Sequence, residues 1–312
     1  MKGVVTKSTG SWYTVYIDNG KKVDCRLKGR FRIKGIKSTN PVAVGDYVNF
    51  EFEQGKETGV INKIFERKNY IIRKSVNLSK QTHIIASNID IAFLLVTIDN
   101  PPTSPGFIDR FLATAEAYSI PAIILFNKID MYTKDEMAKK EALTTIYTSI
   151  GYTCIDISAT KNINIDSVIA LMKDKTTMFS GHSGVGKSTL INAIEPSLNL
   201  KTSEMSKQHK QGLHTTTFAE MFELNFGGFI IDTPGIKGFG VVDFEPNEIT
   251  DYFPEFFKLK DKCKFNNCMH INEPKCAIKD AVENGTIAYS RYNSYLQMVE
   301  GNEEHYRTDI YS

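Results

Sequence analysis

Gly181-His182-Ser183-Gly184-Val185-Gly186-Lys187-Ser188 lies between the apolar stretch Thr176–Phe179 and the helical stretch Thr189-Leu190-Ile191-Asn192-Ala193-Ile194. The octapeptide fits G-x-x-x-x-G-K-[ST] in the strand–loop–helix context that a phosphate-binding loop requires. Its glycines let the backbone curl so that successive N–H groups face phosphate oxygens, and the following helix adds the positive end of its dipole. Lys187 is expected to reach the β- and γ-phosphates and the Ser188 hydroxyl to bind Mg²⁺, with Thr189 completing the loop. Working outward, Ile91–Val96 is a continuous apolar strand of the kind buried in a parallel sheet. Helices near 107–118, 134–150 and 164–173 alternate with strands at 122–126, 153–157 and 176–179. That alternation predicts a doubly wound α/β domain.

A phosphate loop alone specifies a nucleoside triphosphate, not the base. Asn127-Lys128-Ile129-Asp130 directly follows the strand ending at Phe126. A carboxylate at Asp130 can accept from both N1–H and N2–H₂ of guanine, and adenine has no such pair of donors. Asn127 is expected to orient this loop and Lys128 to lie over the purine. Ser158-Ala159, at the end of the next strand, is small enough for a backbone N–H to approach guanine O6. Asp232-Thr233-Pro234-Gly235 follows the strand Phe229-Ile230-Ile231, with Asp232 expected at Mg²⁺ and the Gly235 N–H at the γ-phosphate. The polar segment 201–217 ends in His214-Thr215-Thr216-Thr217. One of these threonines should bind Mg²⁺ when GTP is present, and Thr216 is favoured. Ile236 stands where many GTPases use Gln to orient water, so His214 is the candidate for that task.

The motifs occur in permuted order, with the base-reading residues before the phosphate loop and the switches last. Permutation is tolerated where domain termini lie close in space. The fold expected is multidomain: a β-barrel at 1–72, a circularly permuted α/β P-loop GTPase domain at 73–240, and an α-rich zinc-binding domain at 241–312. The first unit reads as short strands at 12–17, 22–27, 42–52 and 59–64, which suits an OB-like barrel, with an SH3-like barrel as runner-up. Residues 73–89 read as a polar linker. In the last unit Cys263, Cys268, His270 and Cys276 offer three thiolates and an imidazole, a set that suits one structural Zn²⁺ with no open coordination position. A helix is expected over Ile287–Val299.

The net charge of +2 conceals an asymmetry: residues 1–80 carry 17 Lys+Arg against 7 Asp+Glu, and the remainder 21 against 29. A basic first quarter suggests a polyanionic partner. Trp12, Tyr13, Arg26, Arg30, Phe31 and Arg32 are candidates for RNA contact by stacking and charge. Five cysteines, three of them clustered, argue against a disulfide framework. No apolar run reaches the roughly 18 residues of a membrane span and no signal-peptide core is present, so a cytoplasmic chain without membrane contact is expected. Nothing in the sequence argues against a monomer.

Taken together, the small barrel, the permuted GTPase motifs and the Cys263-x4-Cys268-x-His270-x5-Cys276 segment resemble the bacterial small-subunit-dependent GTPase family RsgA, also called YjeQ. The His214–Thr217 run and the D-T-P-G-I run match it too. Gly212-Leu213 replaces a residue that is often basic there. The resemblance covers essentially the whole chain. It implies an OB-fold N-terminal domain, late maturation of the 30S subunit and its rRNA, and GTP hydrolysis to GDP stimulated by that subunit. The alternative expectation is a nucleotide-gated RNA- or protein-binding switch serving a non-ribosomal partner.

Overall fold

The computed structural model describes residues 1–17, 20–28, 41–74, 82–200, 219–232 and 244–301. Five strands open the chain: β1 (Lys2–Ser8), β2 (Tyr13–Tyr16), β3 (Lys22–Leu27), β4 (Tyr47–Phe52) and β5 (Gly59–Ile64). They pair in the order β1-β2-β3-β5-β4, and β4 returns to β1, so the barrel is closed. All neighbours are antiparallel except β3 and β5. Alternation puts Val5, Tyr13, Val15, Val23, Cys25, Val48, Phe50 and Ile61 inside. Residues 42–46, read from sequence as part of a long strand, turn instead. Gly45 takes φ +90°, and a Cβ there would stand 2.1 Å from the Ser87 carbonyl oxygen. Only glycine fits that approach.

The described parts of the supposed linker at 73–89 belong mainly to the antiparallel pair β6 (Tyr70–Lys74) and β7 (Thr82–Ser87). Its polar composition hides an apolar face, because Ile71, Ile84 and Ala86 are buried, and Ile71 and Ala86 join the central core. The barrel is fastened here by Asp46, a fully buried carboxylate that accepts from Arg67 Nε and Nη2 at 2.6 Å each and from Ser87 Oγ at 2.6 Å.

The next unit is a sheet ordered β10-β9-β8-β11-β13-β12, comprising β8 (Ile91–Val96), β9 (Ala122–Phe126), β10 (Thr153–Asp156), β11 (Thr176–Ser180), β12 (Glu220–Glu223) and β13 (Phe229–Asp232). All are parallel except β12, which also meets β1 of the barrel at Lys7↔Glu220 and so merges the two sheets into one of 11 strands. Among the described residues, four helices cover the faces: α1 (Pro105–Ala117), α2 (Lys134–Ser149), α3 (Ile165–Met172) and α4 (Lys187–Ile194). Ser104 caps α1 ahead of Pro105, and Thr133 with Glu136 forms a capping box on α2. One core holds Ala92, Leu94, Val96, Ile108, Phe111 and Leu112 together with Val4 and Val44 of the barrel. The opposite core holds Phe93, Leu95, Val168, Met172, Leu190 and Ile194.

The C-terminal part contains α5 (Pro254–Phe257), α6 (Ala277–Glu283) and α7 (Tyr289–Val299), with single 3-10 turns at Ile249–Tyr252 and Lys260–Lys262. Helix α7 begins at Tyr289 rather than Ile287, and α6 lies in a stretch that reads as irregular. Their core includes Ala113 of α1 beside Ile249, Phe253, Phe256 and Tyr295. Arg291, 1% exposed, crosses this interface. It donates from Nη1 to Asp109 Oδ1 at 2.8 Å, and from Nε and Nη2 to Glu255 at 2.7 and 3.1 Å. Tyr147 of α2 donates to the same Asp109 oxygen at 2.8 Å.

Candidate functional site

The ends of β8, β9, β10 and β11 converge on one edge of the sheet, where ligands of open parallel sheets bind. The loop after β11 runs Gly181–Gly186 and enters α4 at Lys187. Gly181, Gly184 and Gly186 take φ values of +143°, +88° and +100°. A Cβ at Gly186 would stand 2.5 Å from Asn127 Nδ2, so the loop lies flat against the base-motif loop. Val185 is fully buried, whereas Ser183 and Gly184 are exposed. Ser188 and Thr189 are half-buried in the first turn of α4. Lys187 folds back along the loop, its Nζ donating to the carbonyls of Gly181 at 2.5 Å and His182 at 2.7 Å. The His182 ring lies 3.9 Å from that of Phe107 at the start of α1, tilted by 31°.

Asn127, 2% exposed, joins the three motifs. Its Nδ2 donates to Val185 O at 2.8 Å, and its Oδ1 accepts the Ala159 N–H at 3.1 Å. Lys128 sits in the left-handed region at φ +66°, and its Nζ donates to Asn100 O at 2.6 Å and Gly184 O at 2.8 Å. Burial pushes its ammonium below the usual lysine range. Asp130 is exposed in the 3-10 turn Ile129–Met131. Ser158 is buried and accepts the Lys161 N–H at 3.1 Å, forming the turn that presents Ala159.

Two supporting groups escaped sequence reading. Tyr132 OH donates to Asn127 O at 2.8 Å and accepts the Ile98 N–H at 3.1 Å, with burial pushing its phenol up to about 12. Residues 97–104 close the other side: Thr97 Oγ1 donates to Pro101 O at 2.5 Å, and Pro101 lies against Gly184. The signal for the second was Asn100-Pro101-Pro102, turn residues directly after a buried parallel strand. The candidates His214, Thr215, Thr216, Thr217, Gly235 and Ile236 lie outside the described residues. For Asp232 the backbone ends β13, and its side chain is outside the description.

A second cluster gathers Cys263, Cys268, His270 and Cys276, whose ligand atoms all lie within 4.8 Å of one another. Cys263 Sγ is 3.9 Å from Cys276 Sγ, and His270 Nδ1 is 3.6 and 3.3 Å from those two sulfurs. A tetrahedron with metal–S of about 2.3 Å and metal–N of about 2.0 Å has edges of about 3.8 and 3.5 Å, so the set fits one metal ion. Glu273 shapes the ligand loop by accepting the N–H groups of Met269, Ile271 and Asn272 at 2.7, 2.9 and 3.1 Å. Burial opposes its charge, but these donors outweigh burial and hold the carboxyl below the usual range.

On the barrel, Trp12 is 45% exposed and Phe52 42% exposed. Arg26 is exposed and paired with Glu53, and Lys21 lies 5.8 Å from the Phe52 ring. Tyr13, proposed from sequence as a surface contact, is 1% exposed. It leads β2, and strand alternation turns it inward while Thr14 faces out. Arg30, Phe31 and Arg32 lie outside the described residues. Among the described residues no helix is long and apolar enough to cross a membrane.

Comparison with known proteins agrees with this arrangement. Residues 2–61 match the RsgA N-terminal domain and residues 64–242 match the RsgA GTPase. The chain is 66% identical over 313 residues to the small ribosomal subunit biogenesis GTPase RsgA of Flavobacterium johnsoniae, covering 100% of this chain and 96% of the relative. It is 57% identical over 304 residues to the protein of the same name from Bacteroides fragilis, covering 97% and 98%. Among solved structures, YjeQ from Thermotoga maritima superposes with a TM-score of 0.77 at 35% identity, covering 96% and 97% of the two chains. The circularly permuted GTPase YloQ superposes with a TM-score of 0.75 at 32% identity, covering 97% and 95%.

Replacing Asn127 by alanine removes one amide that serves two loops and leaves the Val185 carbonyl and Ala159 N–H unpaired. Asn127→Ala is expected to destabilise the chain by about 1–3 kcal/mol. Urea denaturation measures this, and hydrogen exchange should speed up at the Ala159 amide; an unchanged exchange rate there would show that the amide does not hold the loops together.

Proposed function

The chain belongs to the RsgA GTPase family and is a GTP hydrolase, and we propose that it acts on the small ribosomal subunit as a late maturation factor whose turnover that subunit stimulates. The observation that carries the nucleotide site is the buried Asn127 amide, bonded at once to the phosphate loop and to the loop of Ser158-Ala159. Asn127, Lys128 and Asp130 read guanine together with Ser158 and Ala159, and Gly181–Ser188 with Thr189 cradle the phosphates. Lys187, held on the carbonyls of Gly181 and His182 at 2.5 and 2.7 Å, exchanges these for the β- and γ-phosphates when nucleotide binds. Ser188, Thr216 and Asp232 supply hydroxyl and carboxylate oxygens, a donor set that suits Mg²⁺. When bound with the nucleotide, Mg²⁺ neutralises charge on the β- and γ-phosphates. Gly235 contacts the γ-phosphate, and His214 orients the attacking water.

Three units divide the work: 1–72 docks on rRNA, 73–240 hydrolyses GTP to GDP, and 241–312 holds one structural Zn²⁺ on Cys263, Cys268, His270 and Cys276. Three sulfurs and one nitrogen within 4.8 Å of one another favour zinc over oxygen-seeking cations. The protein works as a cytoplasmic monomer.

Base choice rests on Asp130. Asp130→Asn is expected to shift preference from GTP toward xanthosine triphosphate, because the amide can donate to the 2-oxo group of xanthine. Equilibrium binding of both nucleotides checks this, and undiminished GDP affinity would remove Asp130 from the pocket.

Elemental analysis should find about one zinc per chain. Cys276→Ala should lower that content and raise the protease sensitivity of residues beyond 244. A metal-free protein with an equally resistant C-terminal part contradicts the assignment.

Free protein should hydrolyse GTP slowly, because Ile236 cannot orient water. Purified 30S subunits should accelerate it more than 50S subunits or free rRNA do, and the stimulation should fall steeply with added salt. His214→Ala should bind nucleotide almost normally yet lose about 10²–10⁴-fold of the stimulated rate. Single-turnover hydrolysis at two salt concentrations tests both; full stimulation of the variant would make His214 a bystander.

A further inference from the structure

We infer that Phe107 is a positioning residue of the phosphate loop, transmitting through its contact with His182 whether the C-terminal part is seated on helix α1. The inference rests on the guanine-nucleotide reading of that loop. Helix α1 presents three stripes. Ile108, Phe111, Leu112 and Ala115 lie in the central core and make the helix a rigid part of the GTPase unit. Asp109 and Ala113, four residues apart, face the C-terminal elements. Phe107, at the N-terminal end, faces the phosphate loop, its ring 3.9 Å from that of His182.

Each end of this path carries a constraint. At the loop, the His182 carbonyl accepts from Lys187 Nζ at 2.7 Å, so the placement of His182 bears directly on the lysine that serves the phosphates. At the other end, Asp109 is fully buried, and its Oδ2 has no hydrogen-bond partner among the described residues. Its charge depends on Arg291, which also spans Glu255 and lies 4.3 Å over the Phe253 ring. A buried carboxylate that loses its cation is strongly unfavourable, so only one seating of α7 against α1 is tolerated. Asp109 lies two residues after Phe107, near the N-terminal end of α1, so this seating bears locally on the ring of Phe107.

The test is a mutant cycle read by binding of a fluorescent GDP analogue. Asp109→Asn keeps the side-chain shape and removes the charge that Arg291 meets. It should weaken GDP binding about fivefold in the otherwise wild-type chain, the lower range of coupling between distant sites. Phe107→Leu and His182→Ala each break the ring contact by a different route. In either background Asp109→Asn should have no further effect on GDP binding. Equal weakening in all backgrounds, or none in the wild-type background, overturns the inference. Circular dichroism melts identify a variant that fails to fold, and having two ring variants keeps the cycle readable if one does. Failure of the guanine-nucleotide reading would look different, as absence of GDP binding by the wild-type chain itself.

Discussion

The buried amide of Asn127 is the constraint on which the active edge depends. A side-chain amide carries one acceptor and two donors, and here the acceptor takes the loop after β10 while a donor reaches the loop after β11. Neither loop follows β9, the strand that ends just before Asn127, so the bond is indifferent to how the strands are linked in sequence. That indifference lets the motifs run in permuted order without altering the site. What the site requires is that β9, β8 and β11 be neighbours in the sheet, and their parallel register supplies this.

Permutation moves the cost elsewhere. Opening the chain between β13 and β8 leaves two chain ends to carry new covering units, and both are used. The barrel joins through β12, with Tyr16 bonded to Glu223 and packed edge-on against Phe229 at 5.4 Å. The C-terminal part joins through α1. Each junction contains a deeply buried arginine, Arg67 on Asp46 and Arg291 on Asp109 and Glu255. Such pairs add little net stability compared with apolar packing, but they penalise every other register. They suit a molecule whose outer units must stay aligned with a nucleotide site.

The nucleotide motifs were legible because they are local: a loop, a tetrapeptide and a strand end each carry their chemistry in adjacent residues. The helices and parallel strands were legible because apolar periodicity is local too. What escaped was set by partners distant in sequence. The strand β1 has no turn signal before it, and it exists because β2, β4 and β12 each pair with it. The pair β6–β7 reads as polar until Ile71 and Ala86 are seen to face a core shared with Val44. Tyr13 looked like a stacking platform beside Trp12, and only the register of β2 separates the two. Asp109 and Arg291 are 182 residues apart, and nothing near either one announces a buried pair.

The metal cluster shows how a small unit compensates for a thin core. The C-terminal elements are short, and part of their apolar contact is borrowed from Ala113 of α1. A unit of this size gains little from burial alone and needs a further fastening. The ligand loop is shaped by groups that do not ligate: Glu273 holds three backbone N–H groups, Tyr292 OH donates to His270 O at 2.6 Å, and Tyr295 OH donates to Met269 O at 2.9 Å. His270 itself adopts φ +58°, a strained value for a non-glycine residue, and the Tyr292 hydrogen bond to its carbonyl helps hold it there. Tyr292 and Tyr295 belong to α7, the helix that carries Arg291. The same helix therefore shapes the metal loop on one side and is seated on α1 by Arg291 on the other. A metal held at the cysteines would act on the element that meets the GTPase unit, and so would stabilise the same arrangement as the buried ion pair rather than a separate one.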